Sequence, residues 1–248
     1  MSKISDLPPC DIVAITAHPD DMELNCSGTL ALAVRAGWKA SAIDVTRGEL
    51  STRGTPERRA EEARTAAVEL GLTTRANLEL PDGHLHDGDE TRRAVVRTLR
   101  TMRPKVVLTP PLNDHHADHM AVAEIVTRSF YLAGVANYDP GIEPWRPHAL
   151  FYYVGSRADI PTMVVDVSST YEQRLAAIRR YESQFFKEGS TERRTRISHP
   201  YFLDAIDGTA RRFGALIGVQ YGEAFTSPEP LPVRDLVGLY ATPPWEEA

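Results

Sequence analysis

The sequence predicts an α/β fold built on a parallel sheet covered by helices. Apolar runs of strand length alternate with longer runs of helical spacing, and polar turns carrying Gly, Pro and Asp separate them. The chain has 248 residues, and a fold of this class commonly reaches ~200 to 250 residues as one unit. The elements follow in order. DIVAIT is an apolar strand, and SGTLALAVRAG has the spacing of the helix behind it. KASAIDVT is the second strand, followed by PERRAEEARTAAVELG, whose charges are spaced like the solvated face of a helix. NLELP and ETRRAVVRTLRTM form the third pair, and KVVLTP and ADHMAVAEIVTRSF the fourth. ALFYYVG and TMVVDV read as further strands, before helices over YEQRLAAIRRYESQF and PYFLDAIDGTARRFGALIG. One compact unit is expected from about residue 11 to 226 within a single 1–248 domain. The Pro-rich segment from 227 to 248 reads as a tail.

Chemistry concentrates at two strand-to-helix corners. The first strand ends in AHPDDMELNCSG, which places His18, Asp20, Asp21 and Glu23 in one turn. His18 and Asp21 are three apart and can face one point, and an imidazole with a carboxylate suits a borderline cation such as Zn²⁺. Asp20 points elsewhere, so it is the candidate base for a proton from water that a nearby cation has acidified. Taken alone, such an Asp pair would merely cap the next helix. The second corner, Leu112 to His119, reads LNDHHADH and holds three of the eight histidines. In open parallel α/β sheets such corners share the carboxyl edge, where ligands bind. His119 is the third candidate ligand. His116 then faces substrate as a donor to an oxyanion or leaving group, with Asp118 as its orienting partner.

AHPDD with a glycine at the following helix start, and HHADH about a hundred residues later, resemble the PIG-L/LmbE-like zinc N-deacetylases. DVTRGELSTRGT, ERRAEEA, RANLELPDG and YESQF extend the resemblance to the bacterial branch that deacetylates N-acetylglucosaminyl-malate in bacillithiol synthesis. The similarity runs from about Asp11 to Phe225. It implies a Rossmann-like three-layer α/β/α sandwich with a mostly parallel sheet. It implies His18, Asp21 and His119 as zinc ligands, Asp20 as general base and His116 as the group that stabilises the tetrahedral intermediate. Glu49, Arg59, Arg146 and Tyr201 match substrate-binding positions, Arg146 and Tyr201 within more divergent loops. The chain departs from the family at Ser27-Gly28, where Gly-Gly is usual. The same donor set would accept Fe²⁺ or Co²⁺.

The expected reaction is hydrolysis of the N-acetyl amide of a glucosamine-containing glycoside. The malyl glycoside is the leading candidate, and free or oligomeric N-acetylglucosamine or another N-acylated glycoconjugate the alternative. A malyl aglycone carries carboxylates, for which Arg59 or Arg146 would supply the cation. A non-catalytic Rossmann-like binding module, with Asp44 on a ribose, is the reading from another class. The first turn speaks against it, because HPDDMELNCSG lacks GxGxxG and would repel phosphate. A net charge of −6 gives no basic footprint, so no nucleic-acid partner is expected. MSKISDLPPC has no apolar signal region and no later run has membrane-spanning length, so a cytoplasmic enzyme without membrane contact is expected. Cys10 and Cys26 cannot build a disulfide framework, and neither is assigned to the metal. The resemblance also implies a homo-oligomer, as large as a hexamer.

Overall fold

The computed structural model describes residues 4–155 and 160–241. Seven strands form one sheet: β1 (Ile12–Thr16), β2 (Ala40–Thr46), β3 (Thr74–Leu80), β4 (Val106–Thr109), β5 (Ala149–Tyr153), β6 (Met163–Asp166) and β7 (Gly222–Thr226). Their spatial order is β3-β2-β1-β4-β5-β7-β6. β1 to β5 run parallel, and β7 lies antiparallel between β5 and β6. Seven helices accompany them: α1 (Asp21–Asn25), α2 (Ser27–Arg35), α3 (Pro56–Leu70), α4 (Asp89–Met102), α5 (Ala117–Leu132), α6 (Tyr171–Arg179) and α7 (Phe202–Leu216). This is the α/β class the alternation predicts. Among the described residues no helix is long and apolar enough to cross a membrane.

Alternation along the strands builds two cores. Ile12 and Ala14 of β1 face Met22, Leu30, Ala66, Leu70, Ile178 and Tyr181, which come from α1, α2, α3, the end of α6 and the turn after it. Val13 and Ile15 face the other way, onto Val95, Val96 and Leu99 of α4 and Val122, Ile125 and Val126 of α5. Period-two side chains on a sheet covered on both faces leave every residue of β1 and β2 buried. The strand order reverses direction between β1 and β4, and that reversal opens a crevice at their carboxyl ends.

Three elements differ from the sequence expectation. The expected helix over residues 27–37 is α2, and a further short helix, α1, stands before it, set apart at Cys26, where φ is −146° and ψ 13°. α6 stops at Arg179 instead of running through Phe185. Glu62 binds the Ser183 amide and hydroxyl, and Arg53 takes the Ser183 and Phe185 carbonyls, so these groups are held outside a helical ladder. β7 was not anticipated. Its five residues include Gly222 and the buried Glu223, which hide the strand pattern.

Glu223 explains why Gly28 cannot be replaced by a larger residue. Its carboxylate accepts from the Gly28 amide (2.9 Å), the Thr29 amide (2.7 Å) and the Thr29 hydroxyl (2.6 Å), filling the N-terminus of α2. A Cβ on Gly28 would lie 2.9 Å from Glu223 Oε1 and 3.0 Å from Val167 Cβ. Ser27, which departs from the family pattern, fits because its hydroxyl turns back to the Glu23 carbonyl at 2.9 Å. Arg174 Nε lies 3.4 Å from Glu223, so the cap is also half of a buried ion pair. Glu223→Ala should lower the unfolding free energy of the metal-free protein by about 3 kcal/mol, the cost of leaving one partner of such a pair unmatched. Urea denaturation measures it, and a loss under about 1 kcal/mol would reduce Glu223 to an ordinary helix cap.

Candidate metal centre

β1 and β4 end side by side, and the turns that follow them bring the two histidine clusters together. The rings of His18 and His116 are 4.8 Å apart, those of His116 and His119 4.7 Å, and those of His18 and His119 5.6 Å. Asp21, at the first position of α1, lies between two of them. Its Oδ1 is 3.1 Å from His119 Nε2, and its Oδ2 is 3.3 Å from His18 Nδ1 while accepting from the His18 amide at 2.8 Å.

The outer nitrogens of the same two rings rest on other carboxylates. His18 Nε2 is 3.0 Å from Asp82 Oδ1 and 3.3 Å from Asp118 Oδ2. His119 Nδ1 is 3.3 Å from Asp114 Oδ2. A metal-ligating imidazole characteristically presents one nitrogen to the cation and gives the other N–H to a carboxylate. His18 Nδ1 and His119 Nε2 thus each face one oxygen of the Asp21 carboxylate, with Asp82, Asp118 and Asp114 behind the rings. Those carboxylates are held in turn: Asp82 by the Leu50 amide (2.9 Å), Asp118 by the Gly83 amide (3.0 Å) and Asp114 by the His116 amide (2.9 Å). Sequence reasoning missed Asp82 and Asp114. PDG after the third strand and the Asp just before HH were their signals, at the same sheet edge.

Asp20 faces away from these imidazoles. Its φ of 113° is a left-handed conformation rare for a residue with a side chain, and it sends two adjacent carboxylates in different directions. Arg59 grips the strained turn, 3.2 Å from Asp20 Oδ1 and donating to the Pro19 carbonyl. Gly48 makes room for that guanidinium, since a Cβ there would collide with Arg59 Nη1. Burial raises the Asp20 carboxyl, Arg59 opposes the rise, and the balance leaves it at about 7.

His116 is arranged as a donor. Its Nδ1 accepts from the Asp118 amide at 3.3 Å, which leaves the proton of the neutral ring on Nε2. Burial, then the charges of His18 and His119, hold its pKa below the usual histidine value. The Asp118 carboxylate orients His18, contrary to the expectation that it orients His116; only its backbone amide reaches that ring. His116 also belongs, with His18 and His119, to one of two groups whose ligand atoms lie within 4.8 Å of one another among the described residues; His18, Asp82 and Asp118 form the other.

The substrate-binding candidates scatter. Arg59 lines the cavity, with its Nη2 on Asp20 and the Pro19 carbonyl and its buried Nε without a hydrogen bond. Glu49 accepts from the Asp82 amide at 2.8 Å and so supports a carboxylate behind His18. Tyr201, just ahead of α7, is 68% exposed and does not line the cavity. Arg146 precedes β5, at the opposite edge of the sheet, with its guanidinium 4.5 Å over the Tyr131 ring at the end of α5. That edge is remote from the centre, which corrects the expectation that Arg146 meets ligand in this cavity. Asp44 is bound by Arg75 at 2.8 Å.

The donor set fits a divalent cation. Asp20, Asp21, Asp82, Asp114 and Asp118 are all buried around the three rings. Tyr153 Oη, which lines the cavity, is buried without a hydrogen bond. Burial would keep the rings neutral, yet Asp118, Asp21 and Asp82 raise His18 well above the usual value, and Asp21 and Asp114 raise His119 to about 10. A cation between the rings would answer the same negative charge.

The family model described as PIG-L, GlcNAc-PI de-N-acetylase, matches residues 13–130, which contain the three imidazoles and the five aspartates around them. The solved structure of the conserved protein TT1542 from Thermus thermophilus is 37% identical, covers 90% of this chain and 97% of its own, and superposes with a TM-score of 0.83. The chain belongs to the PIG-L family. Among PIG-L relatives, the diacetylchitobiose deacetylase of Thermococcus kodakarensis is 28% identical over 189 residues, 70% of each chain. The 1D-myo-inositol 2-acetamido-2-deoxy-alpha-D-glucopyranoside deacetylase of Rhodococcus jostii is 28% identical over 58% of this chain and 61% of its own length.

The raised imidazoles have a measurable consequence. Below its value of about 10, His119 of the metal-free protein carries a proton, as does His18, and a cation must displace them. Metal affinity should therefore keep rising with pH up to about 10, with roughly one to two protons released per cation below that value. Calorimetry in buffers of different ionisation enthalpy counts them; binding without proton release would remove His18 and His119 from the ligand set.

Proposed function

We propose that this chain is a metal-dependent N-deacetylase that hydrolyses the N-acetyl amide of a glucosamine-containing small molecule. The observation that carries the reading is the division of labour at one cavity edge: a convergent His18, Asp21 and His119 point, a separate carboxylate on Asp20, and a ring nitrogen of His116 set to donate. The relatives named for diacetylchitobiose and for an inositol-linked acetamido sugar support the substrate class. Zn²⁺ is the proposed metal, with Fe²⁺ or Co²⁺ compatible with the same donors.

A divalent cation held there supplies acidified water and a polarised acetyl carbonyl. Asp20, raised to about 7, accepts the water proton near neutral pH, while Arg59 fixes one of its oxygens. His116 donates from Nε2 to the carbonyl oxygen as negative charge develops on it. The amide C–N bond breaks, the amine leaves with a proton and acetate is the coproduct. Within the class, a malyl glycoside would have to place its carboxylates against Arg196 and Arg212, which line the cavity, because Arg59 and Arg146 are engaged elsewhere.

Amine release from N-acetylglucosamine, diacetylchitobiose and N-acetylglucosaminyl-malate by the zinc-loaded protein, with a chelated control, tests the reading. Metal-independent release, or none from any of the three, would overturn it. Asp20→Asn should keep stoichiometric metal and lose about 10² to 10⁴-fold in turnover, whereas Asp21→Asn should lose the metal itself. Equal metal loss in both would undo the separation of roles. His116→Ala should retain metal and cost about 2.7–4 kcal/mol of transition-state stabilisation; metal loss in that variant would make His116 a ligand instead of a donor.

A further inference from the structure

β5 ends beside β4 and carries a hydroxyl that the protein itself leaves unmatched. Tyr153, the last residue of β5, pairs across the sheet with Phe225 of β7 and belongs to the core on the α1 side, with Met22 and Cys26. It is 1% exposed and its Oη has no hydrogen bond, yet it lines the cavity of about 810 Å³ beside the metal centre. Two other buried hydroxyls among the described residues, those of Thr16 and Ser41, also lack a partner, but neither lines this cavity. A buried hydroxyl without an acceptor costs free energy, and one retained in a folded protein calls for a reason. An O–H that reaches a cavity wall from the core can find its acceptor only in what the cavity binds.

The strand order sets where that acceptor lies. The carboxyl edge runs β2, β1, β4, β5. Asp20 follows β1 and is clamped from the β2 side by Arg59, for which Gly48 after β2 leaves room. His18 follows β1, and His116 and His119 follow β4. Tyr153 closes the row at β5, where Asp114 also reaches, since a Cβ on Gly155 would lie 3.2 Å from Asp114 Oδ2. The candidate base and the hydroxyl therefore stand on opposite sides of the three rings. Burial, and after it the charge of Asp21, hold the phenol well above its ordinary value, so it keeps its proton. An amide attacked from the Asp20 side turns its oxygen away from that carboxylate, because the negative charge that develops there is repelled by an anion and drawn to a donor.

We propose that the Tyr153 hydroxyl is a further catalytic group of this site, which donates a hydrogen bond to the acyl oxygen of the substrate amide on the side of the imidazoles away from Asp20. The proposal rests on the deacetylase reading and adds a second donor to that of His116. The hydroxyl keeps its proton throughout. Water still adds to the acyl carbon, the C–N bond breaks, and the amine takes the proton.

Tyr153→Phe removes the hydroxyl and keeps the ring. The test uses the zinc-loaded full chain on whichever of N-acetylglucosamine, diacetylchitobiose and N-acetylglucosaminyl-malate the native protein hydrolyses fastest. In the variant kcat should fall by about 10² to 10³-fold, with KM within about threefold of native. Calorimetric binding of the tetrahedral methylphosphonamide of glucosamine should weaken by about tenfold or more, and binding of the product glucosamine should not change. Metal content should be unchanged and Tm equal or higher, because an unmatched hydroxyl has left the core. A structural hydroxyl predicts a lower Tm with analogue and product weakened alike. That result would overturn the proposal, as would a kcat within about threefold of native or a loss confined to KM. Each leaves the deacetylase reading standing, because that reading is judged on the native protein. No metal-dependent amine release by the native protein from any of the three compounds would overturn the deacetylase reading, and the acyl-oxygen role with it.

Discussion

Unbalanced negative charge at the joined ends of β1 and β4 is the constraint around which the rest of the structure is arranged. Five buried aspartates meet three imidazoles and the buried guanidinium of Arg59. Like charges this close in a poorly solvated site repel strongly, so the carboxylates persist only where protons, amides or a cation answer them. Asp114 is held at about 2 although burial opposes its ionisation, because His119 and the His116 amide favour the charged form. Asp82 is held low in the same way by His18 and the Leu50 amide. The backbone amides supply part of the compensation without motion or titration. The remainder falls to the rings or to a metal, and this makes the centre chemically competent rather than merely polar.

The fold supplies that arrangement by geometry more than by stability. A parallel sheet whose order reverses between β1 and β4 sends two turns to the same edge, although the clusters lie about a hundred residues apart. Behind the edge, buried ion pairs fix the elements that carry the ligands. Arg75 bridges Glu23 of α1 to Asp44 of β2, and the Tyr181 hydroxyl donates to Glu23 at 3.1 Å. Arg174 donates to the Glu23 and Leu24 carbonyls at the end of α1 while pairing with Glu223 on β7. α1 has only five residues and would not hold itself as a helix. Its position, and with it that of Asp21, is imposed by these long side chains.

The parts of this arrangement that are local in sequence were readable there. Alternating apolar runs gave away the layered sheet, and the residues at the ends of two strands gave away the cluster of His18, Asp21, His116 and His119. What stayed hidden depends on partners distant in the chain. Asp82 and Asp114 look like ordinary turn residues until the sheet edge brings them behind His18 and His119. β7 could not be seen because Glu223 reads as a solvated charge, whereas in the fold it is buried as the cap of α2. The end of α6 was obscured for a related reason: its sequence continues to favour helix, and Glu62 and Arg53 override it. Arg146 lies at the opposite sheet edge, over Tyr131, because family position carries no information about which edge of this sheet a divergent loop visits.

The neighbouring aspartates show how one residue of backbone geometry separates two chemical roles. With both residues in helical conformation, Asp20 and Asp21 would project about 100° apart around one axis. Both would then feel the same cation and neither would be free to move a proton. The left-handed φ of Asp20 breaks that relation, and Arg59 holds the break by binding both the Asp20 carboxylate and the Pro19 carbonyl. Arg59 opposes the effect of burial on Asp20 and so keeps its carboxyl near 7 rather than higher. Asp21 meets His18 and His119 and is held well below the usual range against its own burial. Two identical side chains in sequence thus acquire opposite protonation behaviour. The strain in the turn is therefore tied to a specific contact, because the conformation that costs energy is the one that turns the Asp20 carboxylate onto Arg59 and away from the imidazoles that Asp21 meets.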